Sequence, residues 1–458
     1  MDARLADADA RARQGDPAPF GWFPLVALLL VALVDRIETS VIAGVLPLLQ
    51  EEWGFSDTAG GAIPTAAGLA GLLVTLPAGR LADRVDRRRL VAWVVASWSF
   101  VITGSALATG FGMFFATRVV LGAADSLEGP AASSALSDYY APKARARVYG
   151  YHRMASFAGA PIGALLGGVL GEVFGWRSAF FFMIVPGLLV ALVVRRLPEP
   201  RRGDVDRAVA LLGAGDAGPT PEPPAPVVGI EPVVPGDTRI RTDVRALLRI
   251  PTVGRLYVGL LVLFLGLAGL AFWMPSFFER VHGLGEGAAA SLAAGIGLIG
   301  VGVGATVGGV LGDRWHGTRP GARVSIGATG QILGSVAGVA AFASPALAVR
   351  APLLAVAVAF LSLGIPNISA AIADVLPAQR RGLGFALLNF MVALGGSFGP
   401  VTVGVLSDVY GSLTGALATL AAPMVLGSLV VLSARRTYDD DAAAVMAAAL
   451  RDAHDHAR

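Results

Sequence analysis

Among the charged residues that interrupt otherwise apolar stretches of the chain, five have a spacing that could do chemistry: Asp35, Glu38, Arg118, Asp125 and Glu128. If these stretches are helices, the first two share a face at a spacing of three residues, and the next two share a face at a spacing of seven. A carboxyl group held away from water takes up a proton more readily than a solvated one, and a nearby arginine opposes this effect. The pattern indicates a proton-binding cluster or, alternatively, a static network of ion pairs.

The elements that position these residues are predicted to be membrane-spanning helices. Of 458 residues, 55% are hydrophobic and 15% are charged, whereas a soluble domain carries about 25% charged residues. A spanning helix needs about 20 apolar residues. The runs predict an all-α membrane protein with twelve spans, numbered 1 to 12 along the chain: 23–49, 58–79, 90–109, 113–137, 150–171, 177–195, 253–278, 287–311, 323–343, 351–374, 383–407 and 413–434.

The distribution of basic residues predicts the orientation. Most of the 36 Lys and Arg residues fall in loops on one predicted side, in the linker or in the tails. The exceptions are Arg36, Arg118, Arg177, Arg280 and Arg350. Basic loops face the cytoplasm, so both termini are predicted to be cytoplasmic. A single lysine among abundant Arg and Ala indicates a GC-rich bacterial genome, and hence a bacterial inner membrane.

The chain divides into two pseudo-symmetric six-helix halves. The predicted parts are an N-terminal tail (1–21), a first half (22–196), a flexible Pro-rich linker (197–245), a second half (246–434) and a C-terminal tail (435–458). Gly-x-x-x-Asp-Arg patterns follow spans 2 and 8, acidic residues close spans 4 and 10, and Gly and Pro cluster in spans 5 and 11. This ordered repetition predicts a transporter built from parallel halves.

The loop after span 2 carries a family resemblance. The segment Gly79-x-x-x-Asp83-Arg84-x-x-Arg87-Arg88 resembles a signature of the major facilitator superfamily, from which it differs at Asp86, a position usually held by a small residue. Arg118 in span 4 and Gly175-Trp176-Arg177 before span 6 also fit that family. The resemblance covers all twelve spans and implies the fold of that superfamily.

Three further segments resemble the Spinster-like lipid transporters within that superfamily. They are Ala43-Gly44-Val45-Leu46-Pro47 in span 1, the spacing from Arg118 to Asp125 in span 4, and the segment from Leu270 to Arg280 in span 7. The resemblance implies export of lysophospholipids or sphingosine-1-phosphate, with proton coupling in some members.

The resemblance also implies that spans 1 and 4 line one cavity, so that the five charged residues converge on a proton-coupling cluster. The family's acid in span 1 lies five residues before the Ala-Gly-Val-Leu-Pro run, which is Glu38 here, and Asp35 is the other candidate for that role. Arg118 either holds Asp125 ionised or binds an anionic head group, because a guanidinium suits phosphate oxygens.

Charged residues at the cytoplasmic helix ends are predicted to form a gate that closes the inner side. The alternative is that they anchor the topology by charge alone. The predicted gating residues are Asp83, Arg84, Asp138, Arg147, Asp313, Arg314 and Asp374, the last two acids acting with the arginines that follow spans 4 and 10.

The predicted substrate-binding residues combine arginines, an apolar face of span 7 and two polar groups in apolar surroundings. They are Arg118, Arg153, Trp273, Met274, Phe277, Asn367 and Asn389. The span 7 residues form a wall for an acyl chain or pack between helices. The asparagines contact substrate or bond between helices, and Arg153 meets a lipid phosphate or only extends to the membrane surface.

These observations predict a proton-coupled secondary transporter that moves an amphipathic, lysophospholipid-like lipid by alternating access. The alternatives are multidrug or organic-anion efflux and a receptor that does not transport. The sequence has no cysteine, no ATP-binding loop and no metal-ligand spacing. We therefore expect a monomeric transporter rather than an enzyme, powered by a proton gradient, with no cofactor, no metal and no nucleic-acid partner.

Overall fold

The computed structural model describes residues 8, 11, 14, 16–200, 205, 238–377 and 380–456, so most of the predicted linker lies outside the described residues. The spans of the first half are Phe23–Trp53 (span 1), Asp57–Arg84 (span 2), Arg87–Ala106 (span 3), Phe111–Asp125 with Glu128–Tyr139 (span 4), Pro142–Phe174 (span 5) and Trp176–Arg195 (span 6). Those of the second half are Pro251–His282 (span 7), Glu286–Trp315 (span 8), Ala322–Ala343 (span 9), Leu347–Ser362 with Gly364–Val375 (span 10), Arg381–Tyr410 (span 11) and Leu413–Thr419 with Ala421–Ser433 (span 12). The described residues also form the helix Thr238–Leu248, which begins in the predicted linker, and the helix Arg435–His456 in the C-terminal tail.

Ten helical segments in the described residues are long and apolar enough to cross a bilayer. The two remaining spans are spans 1 and 4. Span 1 carries three charged residues near its middle, Asp35, Arg36 and Glu38, and span 4 is divided into two shorter helices. These two spans are the ones that hold the charged cluster predicted from the sequence.

Spans 4, 10 and 12 are each divided by a proline. Pro130, Pro366 and Pro423 lie near the start of the second helix of their span, and the residue four positions before each lies at the end of the first helix. Proline has no N–H to donate to the carbonyl four residues earlier, so the helical hydrogen bonds stop there. The breaks in spans 4 and 10 occupy matching places in the two halves.

Two compact units make up the fold. Unit 1 comprises residues 1–45 and 69–235, and unit 2 comprises residues 46–68 and 236–458. The sequence-based division falls between spans 6 and 7, whereas the structure groups residues 46–68, the end of span 1 and the start of span 2, with the second half. Spans 1 and 2 are therefore continuous helices that contribute to both units.

The glycine clusters of spans 5 and 11 let backbones touch. In unit 1 a Cβ added at Gly163 would lie 2.2 Å from the carbonyl oxygen of Ile37 in span 1. In unit 2 a Cβ added at Gly399 would lie 2.4 Å from the carbonyl oxygen of Leu265 in span 7. Any side chain larger than hydrogen would separate these helices. The repeated glycines therefore fix the position of span 1 against span 5 and of span 7 against span 11.

The N-terminal tail docks on the end of span 4. The hydroxyl of Tyr140 donates to the carbonyl of Gly21 (3.0 Å) and accepts from the backbone N–H of Leu25 (3.0 Å). The ring of Phe20 meets that of Tyr139 edge-on, with centroids 5.4 Å apart. Both tyrosines are buried, and burial raises the pKa of Tyr140 to about 12. They anchor the tail while remaining neutral hydrogen-bond donors.

The C-terminal tail is a helix that docks on spans 7, 9 and 10. The hydroxyl of Tyr438 donates to Asp374 of span 10, which also accepts a 2.5 Å hydrogen bond from Arg323 of span 9. Asp441 accepts a 3.0 Å bond from the backbone N–H of Thr252 at the start of span 7. The sequence pattern suggested that Asp374 acts with the arginines that follow span 10; its observed partners come instead from span 9 and from the tail.

We expect Tyr438→Phe to lower the free energy of unfolding by about 1–2 kcal/mol, because a buried hydrogen bond to a charged group is lost. Burial and the Asp374 carboxylate raise the pKa of Tyr438 above its usual range. Because the raised pKa keeps the Tyr438 hydroxyl protonated in the folded state, the free energy of unfolding lost in the variant is constant from neutral to mildly alkaline pH. It shrinks only above about pH 10, where tyrosine ionises in the unfolded chain. Thermal unfolding at several pH values measures this, with Tyr410→Phe at an exposed tyrosine as the control. Equal effects of the two changes contradict the prediction.

Candidate functional site

A buried ion pair joins span 4 to span 1 inside unit 1. Nη1 of Arg118 donates to Oε1 of Glu38 at 2.7 Å, and both side chains are nearly inaccessible, at 4% and 3% exposure. Nη2 of Arg118 donates to Oγ of Ser105 in span 3, also at 2.7 Å. One sequence-based hypothesis made Asp125 the partner of this arginine; the structure gives Glu38.

The surroundings of Arg118 fix its orientation. Its guanidinium lies over the rings of Phe114 (5.5 Å to the centroid) and Phe180 (5.1 Å), which gives two cation–π contacts. Ser105 also shares a 2.8 Å hydrogen bond with Thr117. The sequence analysis missed Ser105 and Phe180, because they lie on spans 3 and 6 and carry no pattern of their own. The guanidinium is held as a fixed cation inside the unit.

Three further carboxyl groups lie around this pair. Asp35, Asp125 and Glu128 each have one buried oxygen with no hydrogen-bond donor among the described residues. The charges acting on Asp125 include Asp35, Glu38 and Arg118, and those acting on Glu128 include Asp35. The structure thus brings together all five residues that the sequence placed in the proton-coupling cluster. A cluster of one ion pair and three carboxyl groups, each with an oxygen that has no donor among the described residues, can bind a variable number of protons.

Unit 2 holds a second polar cluster that sequence reasoning missed. Arg280, at the end of span 7, donates to both carboxylate oxygens of Asp57 at 2.9 Å. Gln50 donates to Asp57 Oδ1 at 2.8 Å, and Ser407 of span 11 donates to Oδ2 at 2.6 Å. Four donors therefore converge on one carboxylate at the start of span 2. The only sequence signal was an acid in the first turn of a helix and an arginine in the last turn of another.

Asp408 completes this cluster by capping span 2. Its two carboxylate oxygens accept from the backbone N–H groups of Asp57 (3.1 Å) and Thr58 (2.8 Å). A carboxylate at a helix N-terminus satisfies free N–H groups and complements the helix dipole. The start of span 2 is thereby tied to the end of span 11 within unit 2.

We expect Asp57→Asn to lower the free energy of unfolding of unit 2 by about 1–2 kcal/mol. The substitution replaces one acceptor oxygen by an amide nitrogen and removes the negative charge beside Arg280. A double-mutant cycle with Arg280→Gln, read by thermal unfolding, isolates the pairwise contribution. The control is Glu51→Gln, an exposed acid at the same end of span 1. Additive effects of the two changes count against a direct coupling.

The predicted apolar wall of span 7 lies in the interior of unit 2. Trp273 and Phe277 are fully buried, and Met274 nearly so. The indole Nε1–H of Trp273 donates to the carbonyl of Pro400 in span 11 at 2.9 Å. In this structure these side chains pack between helices, and their substrate role stays a prediction.

The other predicted substrate residues are dispersed. Asn367 is buried and donates to the carbonyls of Gly308 (2.7 Å) and Leu363 (2.9 Å), so it bonds between helices. Asn389 is exposed. The side chain of Arg153 lies outside the described part of the chain.

The predicted gating residues divide into three groups. The side chains of Asp83 and Arg84 lie outside the described residues. Asp138 is buried, whereas Arg147, Asp313 and Arg314 are exposed. The remaining residue, Asp374, bonds to Arg323 and Tyr438 as described above.

Two neighbours of the predicted gating residues have clear local roles. At the end of span 4 it is Arg145, not Arg147, that donates to the carbonyls of Ser137 (2.6 Å) and Tyr140 (3.1 Å). Asp86, the departure from the loop signature, accepts from the backbone N–H of Arg89 at 2.9 Å and caps span 3.

Comparison with known proteins identifies the family. The sequence profile of the Major Facilitator Superfamily matches residues 28–337 and 287–450. The chain belongs to the major facilitator superfamily. It therefore has the fold of that superfamily and is a multi-pass membrane protein, and its relatives there are transporters rather than enzymes.

The relatives of this chain have names that point to different functions. The chain is 31% identical to a puromycin resistance protein of Streptomyces alboniger over 47% of its length, and 27% identical to the spinster homolog 1 protein of Homo sapiens over 56%. These alignments cover less than half of each relative, 43% and 45%. The crystal structure of a bacterial homolog of the human lysosomal transporter Spinster, in an inward-facing and unoccupied conformation, superposes with a TM-score of 0.74, covering 93% of this chain and 97% of that one at 22% identity. The predicted resemblance to Spinster-like proteins is confirmed.

Proposed function

We propose that this transporter couples the movement of a lysophospholipid-like substrate to protons through the cluster in unit 1. The observation that carries the proposal is the set of three buried carboxyl oxygens, on Asp35, Asp125 and Glu128, that have no donor among the described residues and lie near the direct Arg118–Glu38 contact. A static ion-pair network would satisfy its acids. A buried carboxyl that lacks a donor is stabilised by taking up a proton.

The cluster can be deprotonated or protonated, and a proton-coupling site needs both of these states. With the pair intact, Arg118 neutralises Glu38. Asp35 repels both Asp125 and Glu128, and Arg36 offsets part of that negative charge. A proton taken up by one of these three acids reduces this repulsion, and its release restores it. The proton gradient is then the energy source, and no cofactor takes part.

An amphipathic lipid fits the uneven distribution of charge among the spans. Unit 1 carries the charged cluster within its spans, whereas spans 8 and 11 have apolar interiors with charges only near their ends. The resemblance of three segments to the Spinster-like lipid transporters implies the same substrate class. We place the protein as a monomer in a bacterial inner membrane with both termini cytoplasmic, as the basic loops favour.

The test is flux of labelled lysophospholipid in proteoliposomes with and without a pH gradient. We expect wild-type flux to depend on the gradient, Asp125→Asn and Glu128→Gln to lose that dependence, and the exposed control Glu51→Gln to keep it. Flux that ignores the gradient in the wild type contradicts proton coupling.

The second candidate is efflux of drugs or organic anions, which the puromycin resistance relative favours. The same vesicles distinguish the two candidates when labelled puromycin replaces the lipid. Gradient-driven puromycin flux with no lysophospholipid flux, in protein shown to be folded, assigns the chain to the second candidate.

A further inference from the structure

Span 7 of unit 2 ends in a histidine that contacts a buried arginine. Nη1 of Arg350, in the first turn of span 10, lies 2.7 Å from Nε2 of His282. Arg350 is 4% exposed, whereas His282 is half-buried. A guanidinium group has N–H donors and no acceptor, so the imidazole nitrogen is the acceptor. The ring of His282 is therefore neutral and holds its proton on Nδ1.

The rest of the Arg350 guanidinium is held by spans 9 and 7. Nε donates to the carbonyl of Ala341 at 3.1 Å, and Nη2 donates to the carbonyl of Phe342 at 3.2 Å. Both carbonyls lie in the last turn of span 9, where the helix dipole favours a cation. The guanidinium also lies 5.1 Å from the ring centroid of Phe277 in span 7. Arg350 therefore joins the ends of spans 7 and 9 to the start of span 10.

The contact between His282 and Arg350 involves no acid. Among the described residues, neither side chain forms an ion pair with a carboxylate. The charge that acts on His282 is that of Arg350, from span 10. Glu279, one turn earlier in span 7, and Glu286, at the start of span 8, act on each other, and Arg280 of span 7 is bound in the polar cluster described above. This arrangement favours the neutral form of the histidine.

A proton and Arg350 compete for the same lone pair on Nε2 of His282. Histidine in an unfolded chain binds a proton near pH 6.5. A proton on Nε2 converts this nitrogen from an acceptor into a donor, so Nη1 of Arg350 loses its partner. The two side chains then carry like charges at close range, which repel each other. Protonation therefore replaces an attraction between spans 7 and 10 by a repulsion.

We propose that His282 is a proton-binding site whose protonation detaches the end of span 7 from span 10. Arg280 lies in the same last turn of span 7, so the detachment also loosens its bonds to Asp57. In the orientation predicted from the basic loops, this end of the spans faces the outer side of the membrane, and the site responds to external pH. The site is separate from the charged cluster of unit 1, and it does not depend on which substrate is transported.

The test is unfolding of the full chain in mixed micelles by added dodecyl sulfate, compared at about pH 7.5 and about pH 5.5. In His282→Gln, the amide oxygen still accepts from Arg350 but does not titrate. One proton taken up only by the unfolded chain changes the folding equilibrium tenfold per pH unit below the unfolded value. We therefore expect the wild type to lose stability in acid by about tenfold more in this equilibrium than His282→Gln. The matched control is His316→Gln, at an exposed histidine, and it should behave as the wild type does.

Hydrogen exchange of the wild type provides a local measurement that needs no variant. After correction for the intrinsic effect of pH, we expect exchange in the last turn of span 7 to be faster at about pH 5.5 than at about pH 7.5. Unchanged exchange there contradicts the detachment. An equal pH dependence of stability in the wild type and in His282→Gln overturns the proposal, and so does an equal effect of His316→Gln.

Discussion

Arg118→Ala is expected to lower the stability of unit 1 by about 3–5 kcal/mol, because Glu38 would remain as a buried carboxylate without its cation. Ser105 would lose a donor in the same step, and Phe114 and Phe180 would lose their cation–π contact. Thermal unfolding in detergent measures the loss. Arg195→Ala is the matched control, since Arg195 lies in the last turn of span 6 of the same unit and is exposed. A comparable loss in that control contradicts the assignment of the effect to the pair.

A double variant separates the structural from the functional role of the pair. In Arg118→Met/Glu38→Gln, both charges are absent and the volumes are nearly kept, and such replacements of buried pairs are often neutral. We expect most of the stability to return while gradient-dependent flux stays lost, because the fixed cation among the carboxyls is gone. Retained flux in this variant shows that the pair only orients helices.

Gly163→Ala is expected to destabilise unit 1 by about 1–3 kcal/mol, and larger residues at this position by more. The added Cβ would lie 2.2 Å from the carbonyl oxygen of Ile37, next to Glu38. Span 1 must then move away from span 5, and the 2.7 Å contact between Glu38 and Arg118 lengthens. The substitution should therefore reduce gradient-dependent flux as well as thermal stability.

The matched control for this change is Gly150→Ala in the same helix. A Cβ at Gly150 meets nothing within 4 Å, and alanine is favoured over glycine in helices by about 1 kcal/mol. We expect this variant to be neutral or slightly more stable. Similar losses at both positions would mean that helix propensity, rather than close approach, governs span 5.

The sequence predicted the spans well because each apolar run must satisfy its backbone hydrogen bonds inside the membrane, which requires a helix. It missed the breaks in spans 4, 10 and 12, although Pro130, Pro366 and Pro423 supply a local reason for each. It also gave no sign that residues 46–68 group with the second half. That grouping depends on contacts such as Arg280 with Asp57, which join helix ends far apart in the chain.

The sequence identified which charged residues form the site, but it did not identify which of them contact each other. Glu38 and Arg118 stood out because a charge in the membrane costs about 3 kcal/mol and is seldom without a role. Their direct contact depends on how closely span 1 approaches its neighbours, and that approach is set by Gly163 and the glycines around it. The spacing of residues within span 4 suggested Asp125 as the partner of Arg118. Such spacing contains no information on how closely one helix approaches another.

The described part of each tail is held by one unit of the fold. The N-terminal segment is held by Tyr139 and Tyr140 of unit 1, and the C-terminal helix is held by Asp374 of unit 2. The chain contains no cysteine, so Gln14→Cys and Ala443→Cys, at two exposed positions, would each accept a single fluorophore. Energy transfer between a donor and an acceptor placed there would report any change in the distance between the two docked tails.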